Sequence, residues 1–338
     1  MIPVRIAIAG FGNVGRAFAR YTREDPRRFG VDMDLSAVAD STGILRIEAP
    51  GDINSLVAHK ESGAPIKSLP KSLAVGSHSA AMEMLRADGV RVLVECLPTD
   101  IQNGQPGRGL IAAALAAGIN VVTVDKGPMV HAFRELTELA QRSNTRLAFS
   151  GTTGVCPPEE LSGKQVLEIR GVLTGTTNYI LTEMQERSLT LDQALAQAQS
   201  RGIAEPDPSL DVDGWDTAVK ILILAKSLMA AEVDLSGVSR VGLGANIGPL
   251  LQTARKTGHK LRLVGRARIW QGRVRVSVAP KLIGPDSPFY AVEGTSKAAI
   301  FRTEADQFVA HAPSSRGAIC DTIARDIAGI AKSPSSAQ

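Results

Sequence analysis

The sequence Gly10-Phe11-Gly12-Asn13-Val14-Gly15 constrains this chain more than any other feature. It is a GxGxxG loop. It follows an apolar, strand-like run at residues 4–9 and opens a helix-like segment at 14–21. That context gives the pattern a physical meaning. Gly10 permits a tight turn, Gly12 lets the backbone approach a pyrophosphate, and Gly15 lets the helix pack close to the strand. An anion placed there meets free N–H groups at a helix N-terminus. The alternative reading is a tight turn that needs small residues for packing alone.

The next strand-like run, residues 35–39, ends at Asp40. A carboxylate there can accept hydrogen bonds from an adenosine ribose, which leans toward NAD, since it repels a 2′-phosphate. Ser41, Thr42, Arg46 and Lys60 are close enough in sequence to modify that lean, and Asp40 is also suited to capping a turn.

Further short apolar runs at 90–95, 120–124 and 147–149 alternate with helical patterns, among them the Ala-rich stretch 109–117. Such alternation predicts βαβ units, hence a Rossmann-type, doubly wound parallel sheet. After residue 150 the pattern changes. Residues 165–173 alternate like a half-exposed strand, and 191–200 and 214–231 read as helices. Residues 262–270 and 273–282 form one predicted hairpin around Gln271-Gly272; 298–303 and 307–311 form another. Two hairpins imply an antiparallel sheet, so the second half is expected to be a mixed α/β domain. A last amphipathic helix covers 319–330. The expected organisation is a dinucleotide-binding domain at 1–150, a catalytic, substrate and dimerisation domain at 151–310, a helix at 311–331 returning to the first domain, and a frayed tail at 332–338.

With 338 residues the chain suits two domains. Its 44% hydrophobic content supports a sizeable core, whereas 4% aromatic residues supply poor stacking platforms. The net charge is only +4 and the basic residues are scattered, so a nucleic-acid partner is not expected. Three widely spaced cysteines, Cys96, Cys156 and Cys320, fit neither a disulfide scaffold nor a zinc site. The five histidines show no metal-binding spacing. The most apolar stretch, 111–124, is broken by Gly118 and Asn120 and is too short to span a bilayer. With no signal-peptide pattern at the N-terminus, a cytoplasmic protein without membrane partners is expected.

Three further segments resemble homoserine dehydrogenases. Val94-Glu95-Cys96-Leu97-Pro98-Thr99, with Val121-Val122-Thr123-Val124-Asp125-Lys126-Gly127-Pro128 downstream, is close to the family's "VVE-TPT … VVTANKGP". Gly171-Val172-Leu173-Thr174-Gly175-Thr176-Thr177-Asn178-Tyr179-Ile180-Leu181 is close to "GILNGTTNYIL". Gly202-Ile203-Ala204-Glu205-Pro206-Asp207-Pro208, continuing through Asp211, Asp213 and Asp216 to Lys220, is close to "GYAEADP…D-DG-DAA-K".

The residues themselves suit such a site. Lys126 lies past the end of a parallel strand, where open α/β sheets place ligands. Asp216 and Lys220 share a helical face at i,i+4 spacing, and the apolar run after Lys220 points to a buried helix. A buried Asp–Lys pair is costly, which favours a functional role.

The resemblance implies NAD(P)-dependent interconversion of L-homoserine and L-aspartate 4-semialdehyde, in threonine and methionine biosynthesis, by a homodimer whose interface is the second domain's sheet. It implies that Lys220 transfers the proton, Asp216 orients that lysine, and Lys126 stands near substrate and cofactor. It further implies substrate contacts at Glu205, Thr176 and Asp211, and a cofactor contact at Thr99. Among the departures from the family pattern, four bear on the expected pocket. Ser150 stands where a cation-binding glutamate is usual, so no metal ligand is assigned. Arg316 stands in a normally glycine-rich loop, Ile203 replaces a tyrosine, and Asp125 replaces an asparagine. Ser150 and Arg316 leave open a different small amino-acid or hydroxy-acid substrate. A dinucleotide sensor without catalysis is a second alternative. The length leaves little room for a C-terminal regulatory domain.

Overall fold

The computed structural model describes residues 3–49, 51–74, 76–244, 247–313 and 316–332. The chain forms two compact units, residues 1–152 with 315–338, and residues 153–314.

In the first unit the elements run β1 (Pro3–Ala9), α1 (Asn13–Glu24), β2 (Asp32–Ala39), β3 (Ile44–Arg46), α2 (Asp52–Glu61), α3 (His78–Ala87), β4 (Val92–Glu95), α4 (Gly107–Ala116), β5 (Asn120–Thr123), α5 (Lys126–His131), α6 (Phe133–Arg142) and β6 (Leu147–Ala148). The strand order is β3-β2-β1-β4-β5-β6. Five strands are parallel, and β3 runs antiparallel to β2. The sequence pattern did not reveal β3, because three residues are too few to show a period. One sheet face carries Ile6, Ile8, Val38 and Val94 against α1 and the C-terminal helix, Arg316–Lys332. The other carries Ala7, Ala9, Ala37 and Leu93 against α3 and α4. Burial on both faces explains why these strands read as continuous apolar runs rather than alternating ones.

The second unit runs β7 (Glu168–Val172), α7 (Gly175–Arg187), α8 (Leu191–Ser200), α9 (Ser209–Val212), α10 (Trp215–Met229), β8 (Ser239–Arg240), α11 (Ile247–Thr257), β9 (Lys260–Trp270), β10 (Arg273–Ile283), β11 (Lys297–Arg302) and β12 (Gln307–Ala312). Its sheet order is β12-β11-β7-β9-β10-β8. Both anticipated hairpins form, β9–β10 and β11–β12. Gln271 and Gly272 both have positive φ, the backbone that a two-residue hairpin turn requires. The helix α10 packs on β9 where Gly265 leaves room: a Cβ there would lie 3.0 Å from Ile221 and 3.1 Å from Thr217. No helix among the described residues is long and apolar enough to cross a membrane.

Candidate active site

In the first unit the strand ends of β1, β2 and β4 meet at the glycine loop. Gly10 has φ +93°, and a Cβ on it would lie 2.5 Å from the Cys96 backbone. A Cβ on Gly15 would lie 2.1 Å from the Gly10 carbonyl oxygen. Both glycines are therefore demanded by the fold. Gly12 is not: a Cβ there would meet nothing within 4 Å. It caps α1 without a side chain, so the first-turn N–H groups face the space in front of it. This cradle fits a pyrophosphate. Phe11 is buried and Val14 packs against the core. Asn13 accepts a hydrogen bond from Arg16 at 3.0 Å, and Arg16 also reaches the Phe11 carbonyl. Sequence reading passed over Arg16, a cation beside the cradle.

Beside the loop a cavity of about 150 Å³ opens under Asp40 and Ser41. Its floor is alanine, Ala7, Ala9 and Ala37, and its walls include His78, Met82 and Leu97. Small strand residues leave this space beneath α3, and its apolar lining suits a flat heterocycle.

Asp40 takes the turn-capping role that the sequence left open beside a ribose contact. One carboxylate oxygen accepts from the Thr42 N–H, the Thr42 hydroxyl and the Gly43 N–H. The other accepts from Lys60 Nζ at 2.6 Å and from the Ile66 N–H. Burial pushes its pKa up, but Lys60 and the Thr42 donors outweigh that and bring it down to about 2. Asp40 thus caps the turn that sends the chain back as β3. Its two oxygens accept five hydrogen bonds from within the chain, and Lys60 balances its charge.

At the ends of β4 and β5 lies a buried acidic network. Glu95 is fully buried; it accepts from the Leu97 N–H at 2.7 Å and from the Thr123 hydroxyl. Burial, then the charge of Asp125, drives its pKa well above the usual carboxylate range. Burial also raises Asp125, which accepts from the Gly127 N–H at 2.9 Å and from the Thr99 side chain. The Lys126 N–H in turn donates to Thr99 Oγ1 at 3.3 Å. Asp125 therefore caps α5 and ties Thr99 to the backbone of Lys126. The signal that could have singled out Glu95 is a carboxylate closing an otherwise apolar strand.

In the second unit α10 is buried from Thr217 to Ala225, save for Lys220. Lys220 Nζ lies 2.6 Å from Asp216 Oδ2 and 3.0 Å from the Leu173 carbonyl; both charged side chains are 14% exposed. Asp216 also accepts from the Thr174 hydroxyl at 2.7 Å, a partner the sequence reading missed. Thr176, in the first turn of α7, donates to the Ile203 carbonyl at 3.2 Å and ties α7 to the loop that bears Glu205. Glu205 is exposed, and its carbonyl accepts from Gln199. Asp211 is half-buried on α9, just before α10.

Of the departures noted in the sequence, Ser150 is accounted for within the first unit. Its N–H donates to Asp326 Oδ2 at 3.1 Å, and its hydroxyl bonds the same carboxyl. Ser314, Ser315 and the Arg316 side chain lie outside the described residues, as do residues 333–338. Among the described residues no cluster of three or more His, Cys, Asp or Glu could hold a metal ion.

A glycine-loop Rossmann unit, joined in one chain to a unit that buries a lysine–aspartate pair, defines an NAD(P)-binding oxidoreductase. Comparison with known proteins makes this specific. Residues 10–150 match the family model "Homoserine dehydrogenase, NAD binding domain", and residues 156–322 match "Homoserine dehydrogenase". The chain is 32% identical over 308 residues to the homoserine dehydrogenase of Methanocaldococcus jannaschii, covering 88% of this chain and 89% of the other. It is 30% identical to the NAD(+)-dependent homoserine dehydrogenase of Pseudomonas canavaninivorans, covering 90% and 89%. A solved hyperthermophilic archaeal homoserine dehydrogenase in complex with NADPH superposes with a TM-score of 0.78 at 27% identity, covering 98% of this chain and 99% of that one. The chain belongs to the homoserine dehydrogenase family.

Proposed function

We propose that this chain interconverts L-homoserine and L-aspartate 4-semialdehyde with NAD or NADP. The observation that carries the reading is the Lys220–Asp216 pair, sunk in α10 beside the Gly175–Asn178 segment. A dinucleotide held by residues 10–15 would supply the hydride chemistry. Lys220 gives its proton to the aldehyde oxygen in reduction and receives it from the hydroxyl in oxidation. Asp216 holds the ammonium in place. Glu205 meets the substrate ammonium, and Thr176 and Asp211 line the substrate side. The N–H groups that open α7 suit the substrate carboxylate. On the cofactor side, residues 10–15 would hold the pyrophosphate, the alanine-floored cavity would take the adenine, and Thr99 and Lys126 would serve the nicotinamide end. Lys60 offsets the charge of Asp40, so Asp40 does not by itself exclude a 2′-phosphate.

The oligomer we propose is a homodimer through the second unit's sheet. One face of that sheet packs on α10; the other carries Arg170, Arg266, Arg268, Arg275 and Arg302 around Glu168. A two-fold interface joins identical patches.

The test is absorbance at 340 nm with L-homoserine, run separately with NAD and NADP, on wild type and Lys220→Ala. Homoserine-dependent reduction that falls by about two to four orders of magnitude in the variant is expected. A folded wild type that binds cofactor but turns over a different alcohol would instead establish the different-substrate reading, and no turnover of any alcohol the sensor reading.

A further inference from the structure

Thr174 is the N-cap of α7. A threonine in that place ordinarily turns its oxygen onto the first-turn N–H groups of its own helix. Here the side chain makes no such bond. Its hydroxyl lies instead 2.7 Å from Asp216 Oδ2 and 2.9 Å from Thr217 Oγ1, and the residue is 3% exposed. The same Asp216 oxygen is the one 2.6 Å from Lys220 Nζ.

The proton directions follow from chemistry. An ionised carboxylate only accepts, so Thr174 spends its one proton on Asp216. The contact with Thr217 is then donated by Thr217 to the Thr174 lone pair. A directed chain results, Thr217 to Thr174 to Asp216, ending on the oxygen that holds Lys220. The charged group paired with Lys220 comes from its own helix; the β7–α7 loop brings a carbonyl from Leu173 and the hydroxyl of Thr174.

We propose that Thr174 is a positioning residue for the reaction: its hydroxyl, diverted from capping α7, fixes Asp216 Oδ2 against Lys220 and draws off carboxylate charge that would otherwise hold the lysine proton. The proposal rests on the reading of Lys220 as the proton-transfer group. A carboxylate that loses a donated hydrogen bond becomes more basic and favours a neighbouring ammonium more strongly. The lysine that must surrender its proton before taking one from homoserine then does so at higher pH.

The experiment compares wild type with Thr174→Val, Thr174→Ser and Thr174→Asn, the last being the residue of the family pattern quoted above. In homoserine oxidation the valine variant should move the pH limb of kcat/KM upward by about 0.5–1 unit. That shift corresponds to a roughly three- to tenfold loss of rate on the rising limb, with KM for the dinucleotide unchanged. Serine and asparagine, which both donate, should restore the profile. A second readout needs no turnover: competitive acetic anhydride labelling of Lys220, read by mass spectrometry across pH, gives its titration midpoint directly. A midpoint and profile in Thr174→Val equal to wild type overturn the proposal. If wild type fails to turn over homoserine, the functional reading falls, and labelling still decides the role of Thr174. Should the valine variant not fold, Thr217→Val removes the bond one step back. It should move the same midpoint in the same direction by less, and no movement overturns the proposal.

Discussion

Gly12 and Gly15 separate two demands that one loop makes on the chain. At Gly15 a Cβ would collide with the Gly10 carbonyl, so Gly15→Ala should destabilise the first unit by about 1–3 kcal/mol and weaken cofactor binding with it. At Gly12 a Cβ meets no protein atom, and its φ of −80° and ψ of −154° lie at the edge of the extended region, so alanine meets no clash and only modest backbone strain. Gly12→Ala should therefore lower the denaturation midpoint far less than Gly15→Ala does, while KM for the dinucleotide rises at least about tenfold. Thermal unfolding and cofactor titration of the two variants check the split. A Gly12→Ala protein that binds cofactor normally would remove the loop from the cofactor site. These roles were legible in the sequence, because a GxGxxG loop is local. The fate of Asp40 was not. Its position at the end of β2 was readable, but its ion pair with Lys60 is made from the far end of α2, twenty residues on.

Among the elements, the C-terminal helix shows how a helix pattern hides its most consequential contact. Residues 319–330 were readable as amphipathic, and the helix forms with Ile323 and Ile327 in the core of the first unit. Its Asp326 accepts from Ser150, 176 residues away. Burial raises Asp326 from 3.8 to about 6, partly offset by the Ser150 bonds. Between those two values the folded chain keeps a proton that the unfolded chain has released. The group's contribution to stability therefore falls as pH rises across the window, by on the order of 2–3 kcal/mol in total. Asp326→Asn keeps an oxygen for the Ser150 N–H and cannot titrate. Denaturant melts at pH 4.5 and pH 7 should show the variant gaining on wild type at the higher pH; a constant difference would contradict the assignment.

Over the whole molecule the charge distribution matters more than its total. The net charge is only +4, yet the second sheet sets five arginines on one face against Glu168. Arg268 and Arg275 stand directly opposite each other on β9 and β10. Two such faces repel at low salt, and counter-ions screen them. If the proposed dimer uses this face, its affinity should rise with ionic strength, by several-fold between about 20 and 200 mM salt, and more with sulfate than with chloride. Sedimentation velocity measures this; a dimer that weakens with salt would have to use another surface. Scattered arginines in the sequence read as a mild bias because alternation and cross-strand register, which gather them, come only with the paired sheet.

Within the chain itself, then, the sequence determined what neighbours along the backbone can determine. It carried the glycine turn, the alternation of strand and helix, the two hairpins, and the i,i+4 placement of Asp216 and Lys220 on one helix. Tertiary structure alone decided which polar groups meet. It turned Asp40 inward to Lys60, placed Glu95 against Thr123 across two strands, and took the Thr174 hydroxyl from its own helix to Asp216, 42 residues on. The reason is physical. Backbone periodicity is set by bonds and sterics over a few residues, whereas a buried hydroxyl or carboxylate is satisfied by whatever donor or acceptor the packed core brings within 3 Å.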